Sequence, residues 1–171
     1  RSTLFPYTTL FRSLFIAPVR DEFRGFTAGT SLAIMLRSYG LALRPVKSPG
    51  KSVVLLILPI DTKGDSWPIG WESPASPRET APAFFEFLNV EIDGYTAGEV
   101  LDAIQPRVKI PFFIDHYALA KHGIKLEAVK VTILRTRTFY KRVLDRVLAQ
   151  ARLAGKLRVD EAGTPFLWVT K

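Results

Sequence analysis

The residues Tyr140, Val143, Leu144, Val147, Leu148 and Ala151 fall at i, i+3, i+4, i+7, i+8 and i+11. That spacing lays one apolar stripe along an α-helix, with charged residues on the other side. A helix of this kind cannot bury its stripe alone. It must pack on a sheet or on a second helix, so everything around it is read as a partner for that face. Thr138 is expected to cap the helix and Gly155 to end it.

The second half of the chain supplies the partners. Phe84 to Asp93 reads as a strand. Thr96-Ala97-Gly98-Glu99 matches a capping box opening a helix, with Val100, Leu101 and Ile104 on one face and Pro106 just past its end. Ile110 to Ile114 reads as a buried strand, Asp115 to Gly123 as a capped turn of helix, and Val129 to Leu134 as another strand. Lys156 to Asp160 and Phe166 to Thr170 form a terminal hairpin.

The first half is shorter. Val19 to Gly25 reads as a strand and Phe26 to Tyr39 as a helix stopped by Gly40. Leu41 to Val46 and Ser52 to Pro59 pair around Lys47-Ser48-Pro49-Gly50-Lys51. The run Val53-Val54-Leu55-Leu56-Ile57-Leu58 does not alternate, which fits a strand buried on both faces or covered by another module. Gly25-Phe26-Thr27-Ala28-Gly29 recurs 69 residues later as Gly94-Tyr95-Thr96-Ala97-Gly98, which suggests two related modules.

Between the halves, residues 61–83 hold four of the twelve prolines and both Trp67 and Trp71. Two tryptophans in a free linker would expose much apolar area, so the segment is expected to lie as a strap across a module surface. The division is therefore a β-α-β-β module at 14–60, a strap at 61–83 and a β-α-β-β-α-β-β module at 84–171. The class is α+β: two related small modules with helices packed on one face of small mixed β-sheets. The first module is too short to hold a core by itself and should dock on the second.

Residues 86–171 run strand, capped helix, apolar strand, Asp, short turn, strand, helix with a Val/Leu ladder, hairpin. This order resembles the small periplasmic domains of secretins and TonB-dependent receptors, the secretin/TonB short N-terminal type. The resemblance implies a non-catalytic module that packs against partner proteins or further copies of itself, in a periplasmic or envelope-associated setting; a cytoplasmic setting is the alternative. No adjoining barrel or pore segment accompanies it. Thr3 to Ser13, TLFPYTTLFRS, resembles the in-frame translation of a common short-read sequencing adapter. Residues 1–13 are accordingly set aside from the fold as a non-native tail, and the native gene is expected to begin upstream.

Composition narrows the chemistry. The chain has no cysteine and two histidines, which excludes thiolate chemistry, Cys-ligated metal and a His-rich metal site. Gly50-Lys51-Ser52 lacks the upstream glycine and following helix of a phosphate loop. The motifs of dinucleotide binding, zinc proteases and serine hydrolases are missing, so no enzyme activity and no cofactor is expected. Asp115 and His116 are adjacent but read as a helix cap and a surface residue. Glu91 and Asp93 read as exposed carboxylates. No apolar run reaches the length of a membrane span.

Charge is the informative polar feature. The formal net charge is +8, or +6 once Arg1 and Arg12 are removed (22 basic against 16 acidic residues). From Lys130 to Arg158 there are nine basic residues and a single acid, Asp145. Arg135, Arg137, Lys141, Arg142, Arg146 and Arg152 are the candidate anion or partner contacts. Such a field attracts an acidic protein, nucleic acid or anionic lipid. The loop that lets KH domains grip RNA and the aromatic motif of RRM domains are both missing. The expected function is a protein-interaction or scaffolding module, its partner another protein or a copy of itself. A basic nucleic-acid-binding module is the alternative.

Overall fold

The structure, a computed structural model, describes residues 21–50 and 52–171. In chain order, α1 (Ala28–Ser38) leads into a hairpin of β1 (Leu41–Lys47) and β2 (Val53–Pro59). The strap carries a single helical turn, α2 (Pro77–Thr80), and a 3-10 turn (Pro82–Phe85). Then come β3 (Phe87–Thr96), α3 (Ala97–Val108), β4 (Phe112–Ile114), α4 (His116–Lys121), β5 (Lys130–Phe139), α5 (Tyr140–Gln150), β6 (Ala154–Val159) and β7 (Pro165–Thr170). The class is α+β, as the sequence leads one to expect. The assignment of residues 1–13 to an adapter-derived tail, and the part of the first strand and first module before Asp21, lie outside the described residues.

Three small sheets form: β1-β2, β3-β5, and β4-β7-β6 with β7 in the middle. β7 runs parallel to β4 and antiparallel to β6. Strand alternation makes β7 the centre of the molecule. Leu167 and Val169 enter a large core with the inward faces of α3 and α5 and with Ile92, Val131 and Ile133 of β3 and β5. Phe166 and Trp168 point the other way, into a second core with Ile34 of α1, Phe113 of β4, and Phe23, Phe26 and Ile69. Helix α5 buries Val143, Leu144, Val147 and Leu148 to 1% exposure or less. Each such side chain contributes roughly 1.5–3 kcal/mol on removal from water.

The two Gly-x-Thr-Ala-Gly copies have the same local shape. Gly25 and Gly94 both have positive φ (+84° and +74°), and Thr27 and Thr96 are the N-caps of α1 and α3. In α3 the box closes within the helix, Thr96 Oγ1 accepting from Glu99 N while Glu99 accepts from Thr96. In α1 the equivalent position is Thr30, and the carboxylate comes from Glu161, in the turn between β6 and β7. Thr27 makes no side-chain cap bond of its own, and its backbone N–H donates instead to Asp160 of the same turn. The strap lies along the same side. Trp71 and Val159 exchange both backbone hydrogen bonds, and Trp67 N donates to Leu43 O.

Several boundaries differ from expectation, each for a packing reason. Residues 21–25 form a turn, not a strand, with Phe26 N donating to Phe23 O. Phe84 belongs to the 3-10 turn and is fully buried. Thr138 is not the cap of α5; it stays in β5, paired with Leu88 and 5% exposed, and Phe139 takes the cap position without a side-chain bond. Gly155 does not end that helix. The chain leaves it through Arg152 at φ 58°, and Gly155 lies in β6, where a Cβ would stand 2.8 Å from Leu148 Cδ1. Its lack of a side chain is what lets α5 approach the sheet. Pro106 lies inside α3, which continues to Val108 because that residue is 2% exposed in the core. A proline in the last turn forfeits one helical hydrogen bond, less than burying the valine returns.

The largest departure is β2. Instead of being buried on both faces or covered by another module, Val53, Val54, Leu55, Leu56 and Ile57 are 39–62% exposed. Among the described residues of the hairpin Leu43 of β1 alone is buried, and α1 packs on β1.

Candidate functional site

The six basic candidates divide by position. Arg135 and Arg137 project outward from β5. Ile133 faces the core opposite Ile92, and a register shift then sets both Leu134 and Arg135 against the single residue Glu91. This bulge turns both side chains to solvent, and Leu134 is 83% exposed. Arg137 pairs across the strands with Asn89, and its guanidinium lies 5.6 Å from the centre of the Phe87 ring.

Helix α5 brings two more arginines to the same edge. Arg142, Arg146 and Gln150 occupy one stripe at i, i+4 and i+8. Gln150 fixes where the stripe points: its Nε2 donates to Thr132 O at 3.1 Å, and Thr132 N donates to its Oε1 at 3.0 Å. The stripe therefore follows the outer edge of β5 from Thr132 towards its C-terminal half, about 12 Å by helical rise. Arg142 and Arg146 follow that edge, while Arg135 and Arg137 stand on β5 itself, Arg137 leaning over Phe87 of the neighbouring β3. The other two candidates do not join them. Lys141 pairs with Asp145, which offsets its charge. Arg152 occupies the left-handed turn after α5, beside a separate depression of about 350 Å³ with His122 and Lys125.

One feature of this face is not read from the sequence. Phe87 stands edge-on to Phe139 at 6.2 Å, Phe139 stacks on Phe85 at 5.7 Å, and the Arg78 guanidinium lies 5.9 Å from the Phe85 ring centre. With Arg137 over Phe87, the result is a ladder of three rings with a guanidinium at each end. The signal in the sequence is Phe85-Glu86-Phe87, whose alternation shows nothing of Phe139 until β3 and β5 pair.

A groove of about 520 Å³ runs between β3 and α3 and is lined by Asn89, Glu91, Tyr95, Glu99 and Arg107 among others. Glu99 is engaged as the α3 cap, and the Thr96 backbone N–H and hydroxyl hold its carboxyl below the usual range. The groove offers neither a histidine nor a nucleophile paired with a base.

Two carboxylate clusters elsewhere are structural. Asp115 is fully buried; its Oδ2 accepts from Arg37 Nε (3.0 Å), Arg37 Nη2 (2.9 Å) and Thr170 Oγ1 (3.0 Å), and its Oδ1 accepts from Ala118 N (3.0 Å). It caps α4 as expected, and His116 beside it is exposed. Asp21 is pushed above its usual range by burial, an effect partly opposed by His116. At the start of α1, Thr27 N donates to Asp160, the Thr27 and Thr30 hydroxyls donate to Glu161, and Trp67 Nε1 donates to Glu161. Burial raises both acids. The backbone N–H groups of Thr27, Thr164 and Ala162 on Asp160, and chiefly the Thr27 hydroxyl on Glu161, outweigh it and leave both lowered. Gly29 has no side chain because a Cβ would meet Glu161 and the Trp67 ring.

Among the described residues, no three His, Cys, Asp or Glu side chains converge to hold a metal ion, and no helix is long and apolar enough to cross a membrane. Comparison with known families, with curated proteins and with solved structures finds no match to this chain.

Proposed function

We propose that the chain is a non-enzymatic protein-interaction or scaffolding module of an envelope-associated bacterial protein. The observation that carries this reading is β2, five consecutive large apolar residues facing solvent on both sides of a strand. A patch of that kind marks a surface that another molecule covers. The envelope setting rests on the resemblance of residues 86–171 to secretin/TonB short N-terminal domains, and the order β3-α3-β4-α4-β5-α5-β6-β7 supports it. The test is photocrosslinking in the bacterial cell, with benzoylphenylalanine at Leu55 and, as a control, at Asp102 on the exposed side of α3. A protein adduct from Leu55 alone is expected. Lack of any protein adduct from a correctly folded chain would refute the reading.

A second reading, nucleic-acid binding, is favoured by the ladder of Arg78, Phe85, Phe139, Phe87 and Arg137 beside Arg135, Arg142 and Arg146. Rings with flanking cations suit stacked bases and phosphates. The exposed ring surface is small, since Phe85 and Phe139 are half-buried and Phe87 alone is open at 64%. Binding to oligonucleotides should therefore be weak and salt-sensitive. Submicromolar affinity at physiological salt would put this reading first.

A further inference from the structure

We infer that β2 pairs edge to edge and antiparallel with β2 of a second copy of this chain. The inference rests on the protein-interaction reading and names its partner. Strand edges are where chains associate, and folded proteins protect the ones they do not use. The edges of the described sheets are protected one by one, except this one. β1 contains Pro45, and the strap covers it: Trp67 N donates to Leu43 O, and Arg44 donates to the carbonyls of Thr62, Gly64 and Asp65. β5 has a bulge, two arginines and the Gln150 amide on its edge. β3 carries Glu91 and Asp93 and two register shifts. β6 is bridged by Trp71, and β4 is three residues long. β2 has seven residues in unbroken register with β1, no charged side chain and no bulge, and its proline, Pro59, stands only at its last position.

The chemistry of the two ends selects the partner and its direction. Exposed Lys47 stands at the turn end of the hairpin, across from Val53, and exposed Asp61 follows the other end of β2. An antiparallel pairing centred on Leu56 places the basic end of one copy against the acidic end of the other, at both ends at once. Parallel pairing would set like charges together. Because the strap covers β1, the resulting four-stranded sheet β1-β2-β2-β1 has no open edge left, so the assembly closes as a two-fold dimer and does not grow into a filament. Val46 and Val53 to Ile57 are 37–62% exposed, and their combined surface is on the order of 450 Å² per copy. Edge pairing covers only part of that surface, less than a stable dimer needs, so the dimer should be weak and concentration-dependent.

The chain has no cysteine, so an introduced thiol is unique. In Leu56→Cys the two-fold brings the two Cα atoms to about 5 Å, within reach of a disulfide. In Ser48→Cys they are held roughly 25 Å apart by strand rise. The expected results are a monomer–dimer equilibrium in sedimentation, oxidative dimers from Leu56→Cys but not Ser48→Cys, and at least a tenfold weaker dimer in Val54→Lys/Leu56→Lys with unchanged circular dichroism. A monomer at every concentration up to several hundred micromolar would overturn the inference. So would a dimer that neither crosslinks in the Leu56→Cys variant nor responds to the lysines. A Leu55 photo-adduct with a different protein, from a chain that is monomeric in vitro, would remove the second copy as partner and leave the interaction reading standing.

Discussion

Removing the charge of Arg37 should harm this fold more than removing both charges of its ion pair. The Asp115 carboxylate is fully buried, whereas the Arg37 side chain is 31% exposed. In Arg37→Met the carboxylate keeps the Thr170 hydroxyl and the Ala118 N–H but loses its counter-ion. Orphaning one member of a buried pair costs about 3–5 kcal/mol, and the surviving bonds place this case near the lower figure, about 3. In Asp115→Asn the amide still caps α4, and Arg37 can turn to water, so the loss is about 1–2 kcal/mol. The double variant buries no charge and should lose only about 2 kcal/mol, well short of the roughly 4–5 that addition predicts. A coupling of about 2–3 kcal/mol lies within the range for residues in direct contact. Urea unfolding followed by circular dichroism and by tryptophan fluorescence measures it, with Trp168 reporting on the core under α1. An Arg37→Met loss under 1 kcal/mol, or simple additivity, would refute the view that this pair fastens α1 and α4 to β7.

Leu148→Ala should cost about 2–5 kcal/mol in the same assay, since Leu148 is fully buried between α5 and the sheets; less than about half a kcal/mol would contradict the assigned helical face. Acid should loosen α1 first. Asp160 and Glu161 are lowered from 3.8 and 4.5, so their stabilisation is complete above those values and is lost as pH falls through the lower folded ones. Asp160→Asn/Glu161→Gln should flatten the fall in stability between about pH 5 and 2, and an unchanged pH profile would exclude the pair as the α1 clamp. Arg142→Gln/Arg146→Gln should reduce the salt slope of any oligonucleotide binding by about one unit for each phosphate no longer neutralised, measured by fluorescence anisotropy at two salt concentrations. Folding should be unchanged, and an unaltered slope would exclude these arginines as phosphate ligands.

What the sequence reveals about this molecule is local. The α5 ladder, the Thr96–Glu99 capping box and the Asp115 cap are legible because each depends on residues within a turn or two of one another. Gly155 illustrates the limit: a glycine soon after a helical stripe has the chemistry of a stop, and only the approach of Leu148 explains why it sits in a strand. Asp160 likewise reads as the end of a hairpin strand, and Glu161 as the residue after it, until α1 docks over them. The basic face is half legible. Helical spacing puts Arg142 and Arg146 together, but the bulge that turns out Arg135 and the pairing that gathers the aromatic ladder are properties of β3 and β5 jointly. For β2, apolar composition points to burial, and its exposure follows from β1, whose outward face and strap leave the second strand of the hairpin open.

The burial of β7 on both faces imposes an order on the molecule's birth. Both cores need its side chains, so neither closes before residues 165–170 have been synthesised. The hydrogen bond between Thr27 and Asp160 spans 133 residues. At ribosomal rates of about 5–20 residues per second, α1 waits roughly 7–27 seconds for the surface it will bind. Through that interval the nascent chain holds Phe23, Phe26 and Ile34 without their folded surroundings, an affinity for holdase chaperones built in by topology and not by any one segment. A circular permutant that begins with β6 and β7 and places α1 after them would shorten that wait, and it should emerge from translation less dependent on such help.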